Sequence, residues 1–180
     1  MFKKILVANR GEIAVRVMRS AREMGIENVA VFHEVDKEMP FVHYADYAYK
    51  LNAPTPKQAY LDIEQIINIA IKSGAEAIHP GYGFLSERAE FSRACRDAGI
   101  KFIGPYPESI EMMGSKTKAR ELMAKAGVPI VPGTKEKITD TDVAIQTANN
   151  LGYPVILKAA AGGGGKGMRK VYESSDLVPS

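Results

Sequence analysis

The chain has 180 residues, of which 46% are hydrophobic and 25% charged, a composition that excludes disordered, collagen-like and low-complexity proteins. Its net charge of +3 is too small to indicate a nucleic-acid partner. No apolar run approaches the ~20 residues of a membrane-spanning helix, so no membrane partner is expected. The apolar stretch that follows Met1 is too short for a signal sequence, and we expect a cytoplasmic protein.

Short apolar strands alternate with amphipathic helices over residues 1–105. Strands are predicted over residues 3–8, 28–32, 48–51, 75–78 and 100–103. Helices are predicted over residues 12–24, 60–72 and 86–98, the last capped by Ser86. This alternation predicts βαβ units and a doubly wound parallel sheet, whose ligands bind at the carboxyl ends of the strands.

Two polar loops follow strands of this sheet, so we expect both at the same edge. The first, residues 9–12, carries Asn9, Arg10 and Glu12, which suit either a carboxylate or phosphate ligand or a simple cap of the turn. It holds a single glycine where a dinucleotide fingerprint needs three, so NAD is not expected. The second, residues 79–87, is either a ligand-contacting loop or a rigid turn.

The pattern changes after residue 105. Two helical pieces are predicted over residues 109–114 and 116–126, followed by a linker rich in Pro and Gly. A helix that opens at Thr139 and a strand pair over residues 153–158 and 168–172 follow. Because one helix and a hairpin are barely stable alone, we expect the chain to be a fragment that ends inside a second domain. The alternative is a complete single domain with a loose tail.

The connection between the last two strands carries the consecutive glycines Gly162–Gly165, flanked by Lys158 and Lys166. Consecutive glycines let backbone N–H groups approach phosphate oxygens, which predicts a phosphate-binding loop; the alternative is a flexible hairpin turn. It is not a P-loop, because Gly167 stands where that motif has Ser or Thr. Lys116 begins a helix and is either an anion ligand or a solvated lysine.

Two further groups have plain interpretations. Arg16, Arg19 and Glu23 follow helical spacing and indicate either a solvated face or a subunit contact. The single cysteine, Cys95, excludes an internal disulfide and a cysteine-based zinc site, and its apolar neighbours predict a place in the core.

Six segments, in order, resemble the biotin carboxylase family. They are residues 5–16 (ILVANRGEIAVR), 77–87 (AIHPGYGFLSE), 102–105 (FIGP), 113–116 (MGSK), 126–129 (AGVP) and 152–168 (GYPVILKAAAGGGGKGM). The family includes the biotin carboxylase components of pyruvate carboxylases and of the acetyl-CoA carboxylases of fatty acid biosynthesis. In this family ATP activates bicarbonate as carboxyphosphate, and the carboxyl group then passes to biotin held on a carrier protein.

The resemblance implies an ATP-grasp fold with three parts in this chain. Residues 1–115 would form the doubly wound N-terminal domain, residues 116–134 a helix and linker, and residues 135–180 the truncated beginning of the lid. The magnesium ligands and the catalytic groups of the family would lie beyond Ser180. The resemblance therefore implies no catalytic and no metal-binding residue in this chain, and we expect the chain alone to be inactive.

The resemblance also implies roles for individual residues. The ATP-contacting residues would be Lys116, Lys158, Gly162, Gly163, Gly164, Gly165, Lys166 and Met168. Tyr82 and Gly83 would lie beside biotin, and Arg16, Arg19 and Glu23 would lie at a homodimer interface. A biotin carboxyl carrier protein and a carboxyltransferase component would be the partners.

Residues 33–40 match no family motif and receive no role, and the acceptor of the carboxyl group is not specified by the sequence. Two other functions stay open at this point. The chain could be a non-catalytic assembly module, or part of another ATP-grasp ligase such as those of purine synthesis.

Overall fold

The structure, a computed structural model, describes residues 1–114, 116–134, 137–158 and 167–177. It divides the chain into two units, Met1–Ser115 and Lys116–Ser180. Among the described residues, none of the helices combines the length and apolar character needed to cross a bilayer.

A five-stranded parallel sheet forms the centre of the first unit. Its strands are β1 (Lys4–Val7), β2 (Glu27–Phe32), β3 (Tyr47–Lys50), β4 (Ala77–His79) and β5 (Lys101–Phe102). The order across the sheet is β3-β2-β1-β4-β5, so the direction of winding reverses between β1 and β4. The predicted doubly wound sheet is thus confirmed, and its topological switch point lies between β1 and β4.

Helices cover both faces of this sheet. They are α1 (Gly11–Glu23), α2 (Pro40–Tyr44), α3 (Pro56–Tyr60), α4 (Ile63–Ser73), α5 (Ala89–Asp97) and α6 (Pro107–Gly114), with short 3-10 helices at Glu34–Asp36 and Phe84–Glu87. Successive residues of β1 pack on opposite faces of the sheet: Leu6 lies in the hydrophobic cluster that includes Phe91 of α5, and Val7 in the cluster that includes Met18 of α1. Because both faces are buried, the sequence of β1 is a continuous apolar run.

The helix predicted over residues 60–72 is confirmed from Ile63 onward, as α4, but its predicted start was wrong, because the chain breaks after α3 and Tyr60 belongs to α3. The Asp62 carboxylate accepts a hydrogen bond from the backbone N–H of Gln65 at 2.9 Å and so begins a new helix. The apolar periodicity did not reveal this break, since residues on both sides of it face the same core cluster.

Ser86 does not cap α5, contrary to the sequence prediction. It lies inside the 3-10 helix Phe84–Glu87, and its hydroxyl donates to the Gly83 carbonyl at 2.7 Å. Cys95 of α5 is fully buried, as predicted, and burial raises the pKa of its thiol to about 12.

The second unit contains α7 (Lys116–Lys125), α8 (Thr141–Leu151) and an antiparallel pair, β6 (Val155–Lys158) and β7 (Met168–Val171). As predicted, the Pro- and Gly-rich segment after α7 forms neither helix nor strand in its described residues 128–134. Asp140, and not Thr139, caps α8, because its carboxylate accepts from the backbone N–H groups of Asp142 and Val143 at 2.8 and 3.0 Å.

The cap of α4 gives a test of this architecture. Replacing Asp62 with Ala removes the acceptor for Gln65 and should lower the free energy of unfolding of the first unit by about 1 kcal/mol. The control is Asp97→Ala: Asp97 is the last residue of α5, where an acidic group opposes the helix dipole, so removing it should cost under about 0.5 kcal/mol. Urea unfolding curves measure both, and equal losses would contradict the assignment of the cap.

Candidate functional site

The loops after β1 and β4 meet at the switch point of the sheet. The side-chain amide of Asn9, which is 2% exposed, donates to the carbonyls of Pro80 and Tyr82 at 2.8 and 3.0 Å. Its Oδ1 accepts from the backbone N–H of Arg10 at 2.9 Å. These bonds confirm that the two polar loops share one edge of the sheet. Residues 80–84 are called the switch-point loop below.

Gly81 allows the close approach of the switch-point loop to Asn9. Its φ is +67°, and a Cβ built on it would lie 2.5 Å from Nδ2 of Asn9. The backbone N–H of Gly81 donates to Nδ1 of His79 at 3.0 Å. Burial lowers the pKa of His79, which favours the neutral ring whose Nδ1 accepts this bond.

A fully buried carboxylate, Asp36, lies at the same edge, in the 3-10 helix that follows β2. Its Oδ1 forms an ion pair with Nη2 of Arg10, and its Oδ2 accepts a hydrogen bond from the Tyr60 hydroxyl at 2.7 Å. The hydrogen bond to Asp36 raises the pKa of Arg10. Burial, together with the bond to Asp36, raises the pKa of Tyr60 far above its usual value.

His33 extends this network to the segment that follows β3. Its backbone N–H donates to the Tyr60 hydroxyl at 3.4 Å, and its Nδ1 accepts from the backbone N–H of Val35 at 3.4 Å. Nε2 is then the protonated nitrogen, and it lies 3.0 Å from the Ala53 carbonyl that it can donate to. Arg10, His33, Asp36 and Tyr60 are called the Asp36 network below.

The sequence analysis missed Asp36 and Tyr60, because residues 33–40 matched no motif and Tyr60 was assigned only to a helix. One signal could have found Asp36: it follows a buried strand by only a few residues, so it had to lie at the carboxyl edge of the sheet.

Tyr82 and Phe84 form the exposed part of the switch-point loop. The Tyr82 side chain is 62% exposed, and its hydroxyl donates to Oε2 of Glu12 at 3.4 Å. Phe84 has a φ of +45°, a strained conformation for a residue with a bulky side chain. The Phe84 ring packs against Tyr60 with 5.5 Å between ring centroids.

The predicted ATP-contacting residues lie in the second unit. The register of β6 and β7 pairs Lys158 directly with Met168, so both side chains lie on one face of the hairpin, and both are exposed. The opposite face carries Val155, Leu157 and Val171, which pack in the core of this unit. The predicted Gly162, Gly163, Gly164, Gly165 and Lys166 lie outside the described residues, as does the side chain of Lys116.

The predicted interface residues lie on α1. Arg16, Arg19 and Glu23 are exposed, and Nε of Arg19 lies 3.6 Å from Oε1 of Glu23. Within the described residues, no group of three or more His, Cys, Asp or Glu side chains is arranged to hold a metal ion.

Two protein-family models match the chain. A model described as "Biotin carboxylase, N-terminal domain" matches residues 1–110, and one described as "Carbamoyl-phosphate synthase L chain, ATP binding domain" matches residues 115–180.

Among curated relatives, a pyruvate carboxylase subunit of Methanothermobacter thermautotrophicus is 56% identical over 178 residues, which are 99% of this chain and 36% of that protein. Biotin carboxylase 1 of Bacillus subtilis is 49% identical over 99% of this chain and 40% of that protein. The chain thus spans less than half the length of these relatives.

Solved structures give the same result. The biotin carboxylase domain dimer of Hydrogenobacter thermophilus 2-oxoglutarate carboxylase, in complex with MgADP, ADP and bicarbonate, matches with a TM-score of 0.87 and 49% identity, over 99% of this chain and 39% of that one. Biotin carboxylase of Campylobacter jejuni, in a β,γ-ATP complex, matches with a TM-score of 0.88 and 46% identity, over 98% of this chain and 40% of that one. These matches confirm the predicted fold class, a doubly wound α/β domain followed by part of an ATP-grasp fold.

Gly81 provides the test of the switch-point geometry. In Gly81→Ala the added Cβ meets a buried amide that cannot move without breaking its bonds to Pro80 and Tyr82. The control is Gly99→Ala, since Gly99 has a similar φ of +72° but no atom within 4 Å of an added Cβ. In both variants backbone strain should lower the free energy of unfolding by about 1–2 kcal/mol, and in Gly81→Ala the contact with Asn9 should lower it by about 1–3 kcal/mol more. Denaturant unfolding measures the difference, and equal losses would show that Asn9 is free to move.

Proposed function

The chain belongs to the biotin carboxylase family, and we propose that it is the N-terminal part of an ATP-dependent biotin carboxylase. The whole enzyme would use ATP and bicarbonate to form carboxyphosphate and would carboxylate biotin on a carrier protein. The observation that carries this proposal is the 49–56% identity, over nearly the whole chain, to biotin carboxylases and to carboxylase subunits. Residues 1–110 match the N-terminal domain of biotin carboxylases, which argues against the alternative of a purine-synthesis ligase.

ATP would bind in part on the hairpin of the second unit. Lys158 offers a positive charge and Met168 an apolar surface on the same exposed face, and this pair fits a ligand with phosphates at one end and an adenine at the other. Lys116, Gly162, Gly163, Gly164, Gly165 and Lys166 would complete the phosphate contacts. Mg²⁺, which neutralises charge on transferring phosphates, would be held by residues outside this chain.

Biotin would bind beside Tyr82 and Gly83 of the switch-point loop. Tyr82 is exposed at the switch point, the place where ligands of open α/β sheets bind. A biotin carboxyl carrier protein would present this biotin, and a carboxyltransferase component would use the product. Pyruvate and acetyl-CoA are both candidate acceptors, and the cytoplasm is the proposed location.

The exposed face of α1 would form a homodimer contact. Arg16, Arg19 and Glu23 lie on this face, and the matching Hydrogenobacter domain is a dimer. The Arg19–Glu23 pair is intramolecular here and leaves Arg16 available to a partner subunit.

The domain limits follow from the same reasoning. Residues 1–115 would be the N-terminal domain, residues 116–134 a helix and linker, and residues 135–180 the beginning of the lid. Because the chain covers only 36% and 40% of the two relatives named above, the bicarbonate-binding and magnesium-binding residues would lie in the part of the enzyme not included in it. The chain alone would then bind no complete set of reactants.

Activity tests the proposal directly. We expect the full-length gene product to cleave ATP only when both bicarbonate and biotin are present, and the 180-residue chain to give background rates. Phosphate release with each reactant omitted in turn measures this. If the full-length protein cleaves ATP without needing bicarbonate or biotin, the proposed function is refuted. Turnover by the 180-residue chain would refute the domain assignment.

Lys158 tests the ATP contact. In the full-length protein, Lys158→Gln should raise the KM for ATP about tenfold or more, the cost of one charge-assisted hydrogen bond. Arg169→Gln is the matched control, because Arg169 is an exposed cation of the same hairpin that lies, with its register partner Leu157, on the face opposite to Lys158. The KM of this variant for ATP should change less than about twofold. Equal changes in both variants would mean that only the net charge of the hairpin matters.

A further inference from the structure

We propose that Asp36 and Tyr60 are positioning residues that fix the switch-point loop and so set the affinity for biotin. The proposal rests on the proposed function only in taking biotin as the ligand beside Tyr82 and Gly83. Neither Asp36 nor Tyr60 would touch substrate, since both are fully or almost fully buried. They would act through Arg10 and Phe84, one at each end of the loop.

The anchor is the carboxylate of Asp36. One of its oxygens is taken by Arg10 and the other by the Tyr60 hydroxyl, and its side chain has no exposed surface. A buried charge that loses a partner is strongly destabilised, so this geometry has little freedom. The Tyr60 ring is therefore held at its hydroxyl end.

The Tyr60 ring supports the C-terminal end of the switch-point loop. Phe84 packs against Tyr60 at 5.5 Å between centroids with the ring planes tilted by 44°. Because the backbone of Phe84 is in the left-handed region, its conformation persists only where the surroundings impose it. The Tyr60 ring is such a support, and Gly83 and Tyr82 directly precede Phe84.

Arg10 connects Asp36 to the other end of the loop. Its guanidinium is paired with Asp36 and lies 5.6 Å from the centre of the Tyr60 ring. Its backbone N–H holds Oδ1 of Asn9, whose amide in turn holds the carbonyls of Pro80 and Tyr82. A single buried carboxylate thus constrains both ends of the segment that carries Tyr82.

Stability alone does not explain this arrangement. Well-packed apolar residues often serve as well as, or better than, a buried ion pair, and they leave no charge to satisfy. A charged network that joins the segments after β1, β2 and β3 beside an exposed loop instead gives fixed geometry where a ligand would bind.

The test uses Tyr60→Phe in the full-length gene product, which deletes the hydroxyl and keeps the ring. We expect the KM for free biotin to rise about fivefold or more while the KM for ATP changes less than about twofold. Phe84→Leu removes the ring contact from the other side and should give the same split. The control is Tyr47→Phe. Tyr47 is the first residue of β3 and so lies at the amino end of the strand, where its hydroxyl donates to the exposed Glu27 carboxylate at 3.4 Å. Loss of this hydroxyl should change neither the KM for biotin nor the KM for ATP.

A second readout does not depend on activity. Hydrogen exchange in residues 80–87 should become about tenfold faster in Tyr60→Phe, while residues 63–73 of α4 keep the wild-type rate. If the wild-type protein shows no biotin-dependent activity, the proposed function is refuted, and the exchange rates alone then test whether Tyr60 fixes the loop. A lower melting temperature with unchanged biotin KM and unchanged exchange would show a purely structural role and overturn it, as would a parallel rise in both KM values.

Discussion

The buried carboxylate of Asp36 is the constraint on which the carboxyl edge of the sheet depends. A charge without solvent must be matched by fixed donors, and here one donor comes from the loop after β1 and the other from the end of α3. His33 adds a bond from the same network to Ala53. Three connections that differ widely in sequence position are thereby held at defined distances, which hydrophobic contacts between loops would not achieve.

Topology decides where this constraint has an effect. In the order β3-β2-β1-β4-β5 the chain leaves β1 toward one side of the sheet and β4 toward the other, so their loops diverge and leave a gap. Asn9 spans that gap with two hydrogen bonds to the switch-point loop. Gly81 permits the approach, because any side chain there would occupy the position of the amide. The exposed Tyr82 thus lies on a loop whose backbone is fixed by hydrogen bonds from the buried Asn9 amide.

The sequence predicted the parts of this structure that depend on pattern. Buried parallel strands are continuous apolar runs, and βαβ order places Asn9 and Pro80 at one edge. It did not predict Asp36, because a polar residue in a loop has no periodicity and its partner Tyr60 is distant in the chain. The cap assigned to Ser86 and the helix start assigned to Thr139 were wrong, because a helix begins where one particular residue has the right backbone angles. Ser86 lies inside a 3-10 helix, and Asp140, the neighbour of Thr139, caps α8.

The two units differ in how strongly their candidate sites are constrained. The switch-point loop stands on a network whose side chains are mostly buried, whereas the hairpin with Lys158 and Met168 rests on a small core whose buried hydrophobic residues, among those described, are Ala148, Val171 and Leu177. Local stability follows buried contact, so the hairpin should open at lower free energy than the sheet. Such a difference is consistent with the function proposed above, in which a rigid sheet edge would orient biotin and a more flexible hairpin would adjust to the nucleotide.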